Sequence, residues 1–327
     1  MKAIVFDNYG SPDRLRLEDI PKPTPDDNEV LVKVYASSVN TGNLAHVEGK
    51  PFVARLWTGL RQPNDNIPGS DIAGRVELIG RNVRQFQPGD EVYGDSSDCG
   101  FGAYAEYVAV PESVLAKKPA NLTFPEAATV PQAGSVALQA LRDSGKIRSG
   151  QKVLIIGASG GNGTFAVQVA KFYGAEVTAV CGPHGANLVR SIGADHVIDY
   201  TREDFTQNGQ QYDLILVNAG YRPILQYRRA LAPNGIYISS VGNLSATFQA
   251  LLLGPIISMF GSKKMMSLYV SSTLQDLDFL KELIEAGKVK PVIDRCYPLS
   301  ETADALTYYA AGHAKGKVAI AIDSGGK

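Results

Sequence analysis

The pattern of apolar and polar positions divides the chain into two kinds of segment. Up to residue 122 the apolar residues alternate or come in short bursts: AIVF, EVLVKVYASSV, IAGRVELIG and AYAEYVAV. These runs are rich in β-branched and aromatic residues, and turn clusters such as PKPTPDDN and QPGDEV separate them. They predict strands, and the scarcity of helical periods predicts a barrel or sandwich with long loops. At Thr123 the pattern changes. FPEAATVPQAGSVALQALRDSG predicts helices stopped by a glycine. KVLIIG, EVTAVC, HVIDY, YDLILVNAG and IYISSVG follow as apolar strands, with helices predicted between them in TFAVQVAKFYGA, ANLVRSIGA and ILQYRRALAPNG. Buried strands alternating with helices predict a parallel, doubly wound α/β sheet. LQDLDFLKELIEAG has apolar residues at helical spacing and predicts an amphipathic helix. Beyond about residue 290, KPVIDRCYPLS, ETADALTYYAAG and KVAIAID predict strand, helix and strand. The expected organisation is one domain from residues 1–122 and 291–327 and another from residues 123–290.

Composition agrees with two folded domains. At about 150 residues per domain, 327 residues suggest two, with enough chain to build cores unaided. Apolar residues are 44% and charged residues 20%, which excludes a disordered chain. With 32 Lys and Arg against 33 Asp and Glu, no basic excess exists to hold nucleic acid. Cys99, Cys181 and Cys296 are isolated, and the four histidines form no HExxH, so neither a disulfide framework nor a structural zinc cluster is expected. MKAIVFDNYG lacks the apolar core of a signal peptide. The apolar stretch Leu251–Phe260 contains Gly254 and Pro255 and is too short to span a bilayer. The expectation is a soluble protein of a reducing, cytoplasmic compartment, without integral membrane insertion.

The strongest chemical signal is the turn after KVLIIG. Gly157, Gly160, Gly161 and Gly163 fall between a strand and a helix, with a second strand about 20 residues on. Residues without Cβ let backbone approach a pyrophosphate, and the helix N-terminus offers N–H groups and a positive dipole end. Ala158, Ser159, Gly160, Gly161, Asn162 and Gly163 are therefore expected cofactor contacts, Ser159 as a hydroxyl donor. The second strand ends at Cys181-Gly182-Pro183-His184, with no carboxylate there to take ribose hydroxyls. That absence favours NADPH. His184 and Arg190 are candidates for its 2′-phosphate, and Cys181 reads as a small filler at the strand end.

With these residues in view, the chain resembles the zinc-free quinone oxidoreductase branch of the medium-chain dehydrogenase/reductase superfamily. The resemblance runs along essentially the whole chain. It rests on SSVN (37–40), IPGSDIAGRVELIG (67–80), FQPGDEVYG (86–94), AYAEYVAV (103–110), GASGGNGTFAVQVAKFYGAEV (157–177), SIGADHVIDY (191–200), KELIEAGKVKPVIDRCYPLSETADAL (281–306) and GHAKGKVAI (312–320). It implies a GroES-like β domain made from both chain ends and a central Rossmann domain. Zinc-dependent members carry Gly-His-Glu where this chain has Gly69-Ser70-Asp71, and a cysteine where it has Asn40, so the resemblance implies no metal. It places Tyr200 on the adenosine 2′-phosphate, Asn218, Ala219, Val241 and Gly242 near the ribose or nicotinamide, and Lys317 near the cofactor phosphates or pocket. Many members have Asn-x-x-Asp at the active-site turn. Here the turn is Asn40-Thr41-Gly42-Asn43, which leaves Asn40 as the polar candidate.

The implied activity is hydride transfer from NADPH to a quinone or α,β-unsaturated carbonyl, with hydrogen-bond donors in place of zinc. Asn40, Tyr93 and Tyr104 are the candidate catalytic residues. Alternatives are an enoyl-thioester reductase, a zinc-free alcohol dehydrogenase, or a non-catalytic NADPH-binding protein. Residues 243–270 carry a concentrated apolar stretch beside Lys263 and Lys264, readable as a wall for an apolar substrate, a homodimer interface or a peripheral membrane contact.

Overall fold

The computed structural model describes residues 1–220, 222–240, 249, 251–252, 254–255, 259, 261–268 and 270–322. The chain forms two compact units. One comprises Met1–Ala133, Ser271–Ala286 and Pro291–Lys327, and the other Gly134–Val270 and Gly287–Lys290.

The first unit is built on β-structure. β1 (Lys2–Val5) pairs with β2 (Arg16–Asp19). A larger sheet takes β3 (Glu29–Ser38), β4 (Asp71–Ile79), β5 (Glu91–Asp95), β6 (Tyr107–Pro111) and β7 (Leu115–Lys117), together with two strands from near the other end of the chain, β14 (Ile293–Pro298) and β15 (Lys317–Ala321). β15 pairs antiparallel with β3, and β3 with β4, so late and early segments share one sheet. Alternation along β3 places Val30, Val32 and Val34 in a core with Ile72, Val76, Val92, Val108 and Leu115. A fully buried side chain of this size contributes about 1.5–3 kcal/mol. Turn residues after β3 hide a short helix, Thr41–Glu48, that the strand-rich pattern did not predict. The helix Leu274–Glu285, read with the central domain from the sequence, groups with this unit. The Tyr93 hydroxyl donates to Leu277 O at 2.6 Å, and Asn121 Nδ2 donates to Ile284 O at 2.9 Å.

The second unit is a six-stranded sheet of β8 (Lys152–Ile156), β9 (Glu176–Cys181), β10 (His196–Asp199), β11 (Tyr212–Val217), β12 (Leu231–Ser239) and β13 (Lys264–Ser267). Its order is β10-β9-β8-β11-β12-β13 and every pairing is parallel. Order therefore reverses between β8 and β11, where α/β sheets bind ligands beyond the strand C-termini. Leu154, Ile156, Val180, Ile215 and Val217 form its core with Tyr227, Leu231 and Tyr237. One predicted helix needs correction: ILQYRRALAPNG is helical only over Ile224–Ala230, and extended backbone starts at Leu231. Pro233 lacks an N–H and clashes with a preceding helical turn, so the helix ends before it.

Candidate active site

At the end of β8 the chain turns on Gly157, whose φ of +74° favours glycine. A Cβ there would stand 2.7 Å from Ala219 Cβ, just beyond β11. Gly163 is held more tightly, since a Cβ would lie 2.1 Å from Gly157 O. The following helix, Gly161–Phe172, starts from Gly160 with no side-chain cap. Its first N–H groups are thus open to an external acceptor at the positive end of the helix dipole. Among the described residues a Cβ on Gly160 would meet only Gly157 O, at 3.5 Å. Ser159 and Cys181 both border Gly185, whose Cβ would lie 2.6 Å from Ser159 Oγ and 3.4 Å from Cys181 Cβ.

The strand ends beside this turn hold buried polar atoms without hydrogen-bond partners among the described residues. Asn218 accepts a hydrogen bond from Ser240 Oγ at 3.0 Å through Oδ1. Its Nδ2 is buried and unpartnered among the described residues, as is Ser239 Oγ at the end of β12. A buried amide donor left unpaired costs about 1–3 kcal/mol, so its retention at the sheet's switch point indicates a ligand acceptor. The glycine-rich turn, the uncapped helix and the orphan amide fit a dinucleotide.

At the end of β9, Cys181 is buried, and burial pushes its thiol pKa up, consistent with a filler role. Tyr200 is 59% exposed, and its backbone N–H donates to Cys181 O. Its ring borders Gly182, where a Cβ would lie 3.4 Å from the hydroxyl. His184 is exposed on the next turn, and the positive charge of Arg190 acts on Cys181. Asp199, a carboxylate on the adjoining strand, is register partner of Cys181 and accepts from Thr201 N and Oγ. Val241 and Gly242 lie outside the described residues, as does much of 243–270; Leu251, Leu252 and Met259 of that segment are exposed.

The first unit contains a buried polar cluster. Asp71 opens β4 and is 0% exposed. Its Oδ2 accepts from Ser38 Oγ at 2.5 Å and from Asn40 Nδ2 at 2.8 Å, and its Oδ1 from Gln132 N at 3.0 Å. Lys317, at the start of β15, is 3% exposed. Its ammonium donates to Asn40 Oδ1 and to Val39 O, and lies 3.5 Å from Asp71 Oδ2. Burial pushes the Lys317 pKa down, and the charge of Asp71 opposes that shift. Asn43 Oδ1 accepts the Asn40 N–H at 2.9 Å and the Tyr104 hydroxyl at 3.3 Å, while its Nδ2 donates to Ser70 Oγ. An amide suits this fully buried position, because a carboxylate would add an anion near Asp71. Burial and Asp71 raise the Tyr104 pKa well above its ordinary value, so the phenol keeps its proton. Asp95, register partner of Asp71 on the adjoining strand, accepts from Ser97 N and Ser272 Oγ.

The fold thus gathers Asn40, Tyr104 and Lys317 into one network. Tyr93 is not part of it: its hydroxyl is held by Leu277 O, which accounts for its burial. Lys317, expected near cofactor phosphates or pocket, has its ammonium engaged by Asn40, Val39 and Asp71. Asp71, Asp95, Ser38 and Gln132 were not singled out from the sequence as site residues. The available signal was an aspartate at the head of an apolar strand, Asp71 before IAGRVELI, which only a buried partner makes tolerable. Among the described residues no group of three or more His, Cys, Asp and Glu is placed to hold a metal ion.

Comparison with known proteins covers the same ground. A family model described as alcohol dehydrogenase GroES-like domain matches residues 26–120, and one described as zinc-binding dehydrogenase matches residues 192–320. The chain is 33% identical to the chloroplast envelope quinone oxidoreductase homolog of Arabidopsis thaliana over 98% of both chains. It is 33% identical to the chloroplastic NADPH-dependent alkenal/one oxidoreductase of Arabidopsis thaliana over 98% of this chain and 79% of that protein. The solved quinone oxidoreductase of Coxiella burnetii superposes with a TM-score of 0.88, at 29% identity, over 99% of each chain. The chain belongs to the zinc-free, quinone oxidoreductase-like branch of the medium-chain dehydrogenase/reductase superfamily, with a GroES-like unit and a Rossmann unit.

Proposed function

We propose that this protein is a zinc-independent, NADPH-dependent oxidoreductase that reduces a quinone or an α,β-unsaturated carbonyl. The observation that carries the reading is the cradle at the switch point of the parallel sheet: a glycine-rich turn, an uncapped helix and the orphan Asn218 amide. The names of the relatives, quinone and alkenal/one oxidoreductases, support the substrate class. Bound NADPH supplies the hydride. Gly160, Gly161, Asn162 and Gly163 hold the pyrophosphate, and Tyr200 with Arg190 favours the 2′-phosphate. At the substrate oxygen the chain supplies hydrogen bonds. Asn40 Nδ2 gives one N–H to Asp71 and keeps a second, a donor to developing negative charge.

A paired titration with NADPH and NADH, followed by nicotinamide fluorescence, tests the cofactor reading. Tighter NADPH is expected; tighter NADH, or no binding, overturns it. Asn40→Ala should lower kcat at least about tenfold on an enone or quinone, and unchanged turnover would remove Asn40 from the mechanism. Turnover of acyl thioesters alone would instead mark an enoyl-thioester reductase. We also propose a cytoplasmic homodimer that pairs through the edge strand β13, testable by cell fractionation and light scattering; several relatives bear chloroplast names.

A further inference from the structure

We propose that Lys317 is a positioning residue: together with Asp71 it orients and polarises the Asn40 side-chain amide rather than binding cofactor phosphate. The inference deepens the reading of Asn40 as a hydrogen-bond donor and rests on it. Three features of the geometry carry it. First, the two ends of the Asn40 amide meet groups of opposite kind. Oδ1 faces the Lys317 ammonium, which can only donate, and Nδ2 faces the Asp71 carboxylate, which accepts. Flipping the amide would set N–H against N–H at one end and oxygen against oxygen at the other, so only one orientation is tolerated. Second, the network is closed. Lys317 also donates to Val39 O, and Asp71 is held by Ser38 Oγ and Gln132 N, while both charged residues are buried. A hydrogen-bond chain between buried charges polarises its middle member, so an amide drawn toward a cation at its oxygen becomes a stronger N–H donor. Third, Lys317 reaches this place by register. β15 pairs antiparallel with β3, placing the head of β15 beside the Val39–Asn40 end of β3, where the Val39 N–H also donates to Val318 O.

The test combines variants with a measurement on the unaltered protein. In the wild-type chain labelled with 15N-asparagine, the Asn40 side-chain NH2 signals are identified by their loss in Asn40→Gln. They should lie clearly away from free-amide positions and exchange slowly; signals at free-amide positions would overturn the proposal. Lys317→Met alone leaves Asp71 as a buried anion without its cation and is expected to fold poorly. The double variant Lys317→Met/Asp71→Asn removes both charges at little change in shape. It should bind NADPH within about twofold of wild type, lose at least about tenfold in kcat, and shift the Asn40 signals toward free-amide positions. A rise of about tenfold in the NADPH Kd with kcat unchanged would make Lys317 a phosphate ligand and defeat the proposal. Adding Asn40→Ala to the double variant should cost little beyond Asn40→Ala alone, since the pair acts through that amide. If Asn40→Ala keeps full activity, the catalytic reading of Asn40 fails, and a kcat loss in the double variant must then have another origin. If Asn40→Ala is impaired while the double variant is not, only the positioning role fails.

Discussion

Asp95 and His46 are two buried groups at which pH enters the stability of the first unit between acid and neutral pH. Burial, with Asp71 beside it, pushes the Asp95 carboxyl up to about 6 from an ordinary 3.8. A raised carboxyl binds its proton more tightly in the folded chain. Its contribution is therefore fully present below about 3.8 and is lost as pH rises through 6, a change of about 3 kcal/mol. His46 works in the opposite sense. Its ring lies between Phe6 and Phe101, Nε2 contacts Asp65 O at 2.9 Å, and burial lowers its pKa from 6.5. Its contribution is present above 6.5 and is lost as pH falls through the lowered value. Asp95→Asn can keep both hydrogen bonds, accepting from Ser97 N and donating to Ser272 Oγ. Urea melts from pH 4.5 to 8 should show the variant gaining on wild type as pH rises, by about 1–3 kcal/mol at pH 8. The difference between the two proteins cancels the His46 contribution. A difference that does not change with pH would show that Asp95 titrates normally.

The turn between β8 and the helix Gly161–Phe172 puts two glycines, three positions apart, to different uses. Gly163 lets the helix start lie on the strand end, because its absent Cβ would collide with Gly157 O at 2.1 Å. Gly160 has ordinary backbone angles, φ −83° and ψ 178°, and among the described residues a Cβ there would meet only Gly157 O, at 3.5 Å. Gly163→Ala should therefore destabilise the fold by more than about 2 kcal/mol. Gly160→Ala should melt like wild type yet bind NADPH at least about tenfold more weakly, since its methyl enters the space of the pyrophosphate. Thermal melts with fluorescence titrations check both, and a Gly160→Ala variant of full affinity would show that the ligand lies elsewhere. This element was legible in the sequence because its parts are local: strand, glycines and helix follow one another within 25 residues. The Asn40 cluster was legible only in part. Its members come from β3, the cap and first turn of the helix Thr41–Glu48, β4, β5, the segments at Tyr104 and Gln132, and β15, and Lys317 stands 277 positions from Asn40. No local periodicity reports a pairing of that range, so Asp71 and Asp95 do not stand out as site residues in the sequence.

At the scale of the whole molecule, the sequence pattern changes at Thr123 and near residue 290, whereas the compact units divide after Ala133 and after Val270, and each has its own core. The helix Leu274–Glu285 was read into the central domain because its amphipathic period shows that one face is covered, not which unit covers it. On the proposed reading the glycine-rich turn that takes the pyrophosphate belongs to the Rossmann unit, so the cofactor should act on stability through that unit. A ligand that binds only the folded state adds about 2.7 kcal/mol at a hundred times its Kd. NADPH should therefore raise Tm in a concentration-dependent way, and NADH at the same concentration should raise it less. The gap between them measures the contacts at the end of β9. Arg190→Ala and Tyr200→Ala should shrink the NADPH shift while leaving the NADH shift in place, because only the 2′-phosphate distinguishes the two ligands. Gly160→Ala should shrink both, because both ligands share the pyrophosphate. Equal shifts from NADPH and NADH in wild type would mean that the absence of a carboxylate after Cys181 does not set cofactor choice.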